Sequence, residues 1–240
     1  MFNKDALAYL MEQMAPVQTH ELNGEFFADR KLHMVDTIRR AEPIQMSTLS
    51  SLIDYIKAGF DAHDKMFVHV KSPTCVQLYS ELDVERGRET MAEVVALVPD
   101  FVFDRYMDNE MFCINLQSKF LDTPDRALLL KVAGTVEAGS ITEYGDDGVT
   151  QKATVKTGIA SKGAAVVPNP VVLAAYRTFI EVDQPDVQYI FRMRQDKNSN
   201  TVQCALFESD GGAWMIEAME SIKEYLAESL KDVDGLIVIS

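Results

Sequence analysis

At 240 residues, with 47% hydrophobic and 25% charged side chains, the chain has a globular composition and enough length for one substantial domain or two small ones. Its 37 acidic against 23 basic residues give a net charge of −14, which disfavours direct binding to DNA backbones, since these reward clusters of Lys and Arg. No apolar run approaches the roughly 18–20 residues that span a bilayer, and Asp5 and Glu12 interrupt the apolar pattern at the N-terminus, against a signal peptide.

The expectation is therefore a soluble, cytoplasmic protein with no membrane partner. Cys75, Cys113 and Cys204 are far apart and read as reduced, buried thiols rather than a disulfide framework.

In chain order, Asn3 to Ala15 has the spacing of a short amphipathic helix ended by Pro16. Two strands, Val17 to Leu22 and Glu25 to Val35, follow about an Asn23-Gly24 turn. Ser47 or Ser50 opens a second helix whose stripe is Leu49, Leu52, Ile53, Ile56 and Phe60. Met66 to Val70, Cys75 to Leu82 and Glu89 to Val98 read as strands. Asp108 caps a helix through Leu121, and Thr123-Pro124 starts the next, where the missing N–H of proline costs nothing.

From Ser140 the period becomes that of strands. A hairpin turns at Asp147-Gly148, and Val171 to Leu173, Thr178 to Val182, Val187 to Arg194 and Val202 to Glu208 follow. Asp210-Gly211-Gly212 precedes a helix from Ala213 to Lys231 with Met215, Met219, Ile222, Leu226 and Leu230 on one side. Leu236 to Ile239 adds a last short strand. The order predicts an α+β fold, an antiparallel β-meander core with packed helices and a C-terminal amphipathic helix. It is read as a single domain over 1–240, with the helices of 104–136 open to reading as an insertion.

The sequence holds no P-loop, no dinucleotide-binding glycine pattern and no nucleophile elbow. His20, His33, His63 and His69 show no metal-ligand spacing, and no cofactor is implied. Asp104, Asp108 and Glu110 stand around a helix start, where capping explains them. Tyr189, Phe191 and Met193 share a strand face that reads as core, and Trp214 reads as the anchor of the last helix. Between Asp147 and Glu181 there is no acidic residue. Lys152 and Lys156 point to one strand face about 13 Å apart, with Lys162 and Arg177 following. These four form the candidate site, either for an anionic small ligand or for a contact with another copy of the chain.

The order of elements, with FDRYMDNEMFCINLQSKFL in the middle and YIFRMR, VQCALFE and DGGAWMIEAMESIKEYL at the close, resembles the uncharacterised YfdQ-like family of phage and prophage proteins. The resemblance implies a phage origin and action in the bacterial host cytoplasm, and it transfers no functional residue. The expected function is a non-enzymatic accessory protein that binds and self-associates, with a partner in phage DNA recombination or replication or in a host defence system. The alternatives are an acidic decoy that blocks a nucleic-acid-binding protein, and an enzyme acting on a phosphate-bearing molecule with a metal at Asp146 and Asp147.

Overall fold

In the computed structural model, residues 16–22, 25–28, 41–84, 86–143, 151–156, 162–166, 169–196 and 201–240 are described, together with Lys4, Tyr9, Met11 and Met14. Two units, Met1–Arg40 and Ala41–Ser240, divide the chain that was expected as one. In the first, β1 (Thr19–Leu22) pairs antiparallel with β2 (Glu25–Ala28), Leu22 opposite Glu25, while the expected Asn23-Gly24 turn lies outside the described residues. The expected N-terminal helix lies largely outside the described residues; Lys4, Tyr9, Met11 and Met14 are helical.

The second unit has two cores. One belongs to a five-stranded sheet of order β14-β4-β5-β6-β3. Its strands are β3 (Ile44–Met46), β4 (Met66–Ser72), β5 (Cys75–Ser80), β6 (Thr90–Val95) and β14 (Leu236–Ile239). Alternation places Met66, Val68 and Val70 inward on β4 and leaves Phe67 and His69 on the outer face.

Against the inner face pack α1 (Leu49–Ala58) and α4 (Ala213–Ser229), which bury Leu49, Leu52, Ile53 and Ile56, and Ile222 and Leu226. Thr48, rather than either flanking serine, caps α1, its hydroxyl accepting from Ser51 N–H at 3.2 Å. Gly59 ends the helix at φ 67 and turns the chain outward, so Phe60, expected in the apolar stripe, is 88% exposed.

Strands β4, β5 and β6 form an antiparallel meander, but β3 runs parallel to β6 and β14 parallel to β4. Both parallel strands adjoin a helix in sequence, β3 preceding α1 and β14 following α4, which is how parallel neighbours enter a sheet. The fold is α+β, as expected, and this sheet is mixed.

The other core lies on an antiparallel sheet of order β11-β12-β13-β7, from β7 (Met107–Asp108), β11 (Val171–Leu173), β12 (Val187–Gln195) and β13 (Val202–Glu208). Tyr189, Phe191 and Met193 are buried along β12, confirming that face as core. Above them pack α2 (Asn109–Lys119), capped by Asp108, and α3 (Pro124–Thr135), capped by Thr123. Phe112 stacks on Phe191 with centroids 5.4 Å apart. Because Phe112, Leu116, Leu129 and Val132 supply this core, the helices of 104–136 are integral to it. The Asn169 carboxamide takes the place of a strand neighbour for Phe191, accepting its N–H at 2.7 Å and donating to its carbonyl at 2.9 Å.

Between β11 and β12 the predicted strand Thr178 to Val182 is instead a run of turns. The Gln184 side chain explains the difference, because it satisfies groups that a ladder would otherwise take. Its oxygen accepts from Arg177 N–H and Thr178 N–H at 2.8 and 3.2 Å, and its nitrogen donates to the carbonyls of Phe179 and Val182 at 3.0 and 3.3 Å.

This segment joins the two cores. Phe179, 1% exposed, enters the core of the five-stranded sheet, and the Thr178 hydroxyl donates to Pro73 carbonyl in the β4–β5 turn. Glu181 accepts from Ser50 N–H at 3.3 Å in the first turn of α1.

Candidate binding site

The basic stretch contributes β9 (Gln151–Lys156) and β10 (Lys162–Val166), which form three antiparallel strands with the preceding β8 (Val136–Glu143), β9 in the centre. Glu143 pairs with Gln151, while the turn expected at Asp147-Gly148 and the metal reading of Asp146 and Asp147 lie outside the described residues. The register places Lys162 directly opposite Lys156, and Lys152 opposite Val166 on one side and Thr142 on the other. Like charges at directly opposed cross-strand positions are destabilising.

Arg177 does not join that set. It follows β11, and its guanidinium is enclosed by the second core. The guanidinium carbon lies over two rings, 4.3 Å from the centroid of Phe103 and 3.9 Å from that of Trp214. Nη1 donates to the Tyr189 hydroxyl at 3.2 Å, and Nη2 pairs with Glu208. The Arg177 side chain is 11% exposed and that of Glu208 28%, so the cation already has its counter-ion and its ring contacts.

Burial pushes the Tyr189 phenol well up, with Glu208 and Asp210 acting in the same direction and Arg177 against them. Neither Phe103 nor Trp214 is recognisable from local sequence as a partner of Arg177. Position after two glycines marks Trp214 only as a helix anchor, and Asp210 fixes it there by accepting its N–H at 3.1 Å.

Beside Arg177 opens a groove of about 320 Å³ walled by Phe101, Phe103, Tyr176 and Lys119, with Asp100 at its rim. Lys119 donates from Nζ to Asp100 carbonyl, which fixes one wall. Asp104 holds the crossing loop at φ 59, an uncommon conformation for a residue other than glycine. Two bonds secure it, Asp104 N–H to Leu206 carbonyl at 2.9 Å and Glu208 N–H to the Asp104 carboxylate at 3.2 Å.

A second polar arrangement lies on the outer face of the five-stranded sheet. Glu93 accepts from Gln77 at 2.7 Å, from Gln45 at 3.3 Å and weakly from the Cys75 thiol at 3.9 Å. Burial raises the Cys75 pKa and Glu93 raises it further, while Lys71 acts the other way. Cys113 and Cys204 both direct their thiols at the Asn109 side-chain oxygen, at 4.0 and 3.3 Å, and burial raises both pKa values. All three cysteines are free, and the thiol form that burial favours is the less nucleophilic one.

Among the described residues no three His, Cys, Asp or Glu side chains are grouped to hold a metal ion, and no helix is long and apolar enough to cross a membrane. The chain matches no family model, and no curated protein or solved structure is significantly similar to it.

Proposed function

We propose that this is a non-enzymatic accessory protein of phage origin that acts by binding an anionic partner through Lys152, Lys156 and Lys162 and by self-association. Its place would be in phage DNA recombination or replication, or in evasion of host defence. The observation that supports this most is the opposition of Lys162 and Lys156 across β9 and β10. In a chain with a net charge of −14, such a position concentrates positive charge where an anionic group repays the repulsion. Arg177 is left out of the binding set because its charge is already answered by Glu208.

The test is polyphosphate binding, followed by calorimetry, for the wild type and a Lys152→Glu, Lys156→Glu variant, with mass by light scattering. The variant is expected to bind at least about tenfold more weakly, near 1.4 kcal/mol, or to lose its assembly. Unchanged affinity together with unchanged mass would overturn the proposal.

A second reading is favoured by α4, which presents Glu217, Glu220, Glu224 and Glu228 to solvent at spacings of three and four residues. An acidic row of that kind suits a decoy that occupies a basic, nucleic-acid-binding protein. Salt-sensitive capture of such a protein, lost on changing these glutamates to glutamine, would favour it over the first reading.

A further inference from the structure

Strand β14 forms one edge of the five-stranded sheet and carries none of the charges, prolines or bulges that blunt such an edge. Its sequence, Leu236-Ile237-Val238-Ile239, holds no charge and no proline, and its register with β4 is unbroken. At the opposite edge β3 is only three residues long and follows Pro43.

One bond fixes which groups of β14 are unused by the sheet. Met66 N–H donates to Gly235 carbonyl at 3.0 Å, with Leu236 opposite Met66 in parallel register. Alternate residues of a strand address the same neighbour, so Gly235, Ile237 and Ile239 face β4. The N–H and C=O groups of Leu236 and Val238 therefore point away from the sheet. The side chains alternate in the other direction, with Ile237 64% and Ile239 41% exposed on the outer face.

We infer that β14 pairs antiparallel with β14 of a second copy, about a two-fold axis at Ile237. This rests on the self-association proposed above and assigns it a surface. The direction of the unused groups permits only registers in which even-numbered residues meet even-numbered ones. The register centred on Ile237 sets Leu236 opposite Val238 of the second copy, and the reverse, so the four bonds all fall within β14. It also brings the two Ile237 side chains together and joins the outer faces of two sheets into one.

Charge suits a surface that meets itself. A groove of about 640 Å³ beside the strand is floored by Phe67, Leu82 and Ile237 and carries both signs, Lys65 and Arg88 with Glu81. Strand-edge pairing alone buries less than the roughly 800 Å² per partner of stable complexes, so the dimer is reversible and concentration-dependent.

Sedimentation analysis of the full chain across a concentration series tests the interface. Val238→Pro removes the N–H that faces outward while leaving the bonds to β4 in place, and Ile237→Lys sets like charges against each other at the axis. Each is expected to weaken dimerisation by roughly 30-fold or more, from the loss of two bonds or their equivalent, with circular dichroism unchanged. If Val238→Pro disturbs the fold, Ile237→Lys carries the test, since that side chain is exposed.

A wild type that stays monomeric overturns both the interface and self-association, leaving this edge to a strand from another protein. A wild type that dimerises while both variants retain its affinity overturns the β14 interface alone. Polyphosphate binding measured in the same variants reports separately on the lysine site.

Discussion

Replacing Arg177 tests whether the cation acts as a joint of the fold or as a ligand-binding group. Arg177→Met keeps most of the volume but removes the charge, the bonds to Glu208 and Tyr189 and the contacts with Phe103 and Trp214. Breaking one half of a buried ion pair costs about 3–5 kcal/mol, mainly through the charge left behind. Glu208 remains 28% exposed, and water recovers part of that loss, while the two ring contacts add about 0.5–2 kcal/mol each. The expected destabilisation is about 3 kcal/mol, or roughly 6–12 °C in Tm for a unit of this size.

Arg177→Lys preserves the charge but not the planar group in contact with two rings, and should fall between wild type and Arg177→Met. Adding Glu208→Gln to Arg177→Met removes the stranded carboxylate and should restore about 1–2 kcal/mol, a coupling that independent sites do not show. Urea unfolding followed by circular dichroism measures these four proteins and Glu208→Gln alone, which closes the cycle. A loss below about 0.5 kcal/mol in Arg177→Met, or strictly additive effects in the double variant, would refute the buried-joint reading. Polyphosphate affinity should be unchanged in Arg177→Met.

Gln184→Ala removes four hydrogen bonds that hold the segment joining the cores, and is expected to cost about 2–3 kcal/mol at roughly 1 kcal/mol or less per bond; hydrogen exchange at Arg177 and Thr178 amides should rise with it. The Tyr55 phenol is pushed up from 10.0 to about 12, first by burial and then by Asp61, whose carboxylate accepts a hydrogen bond from its O–H at 2.7 Å. Unfolded tyrosine ionises at the ordinary value, so stability from Tyr55 is complete below about pH 10 and is lost as pH rises toward 12. Asp61→Asn should shrink that alkaline loss and lower the phenol's titration midpoint in ultraviolet absorbance; an unchanged midpoint would count against Asp61 as a cause.

Local signals survived folding wherever the chain settles its own hydrogen bonds. Thr123-Pro124 and Asp108 cap α3 and α2 because a cap needs only residues a few positions away, and the alternation along Tyr189, Phe191 and Met193 reports directly on a buried face. The same reasoning misplaced Thr178 to Val182, where β-prone side chains suggested a strand. That preference expresses fit to a pleated, half-buried surface rather than an intrinsic backbone rule. Here a single amide, that of Gln184, supplies local partners and leaves Phe179 free to enter the neighbouring core.

Arg177 shows the same limit for chemistry. In sequence it continues a run of lysines with no intervening acid, and charge alone gives no reason to separate it from them. The separation is made by Phe103 and by Glu208 and Trp214, residues from two parts of the chain distant from Arg177 in sequence, which the fold brings together. A basic residue in a stretch that lacks acids is thus a binding candidate only while its counter-ion is unknown. Lys156 and Lys162 differ because their nearest cross-strand position is occupied by another lysine, and that register is what keeps them as the candidate site.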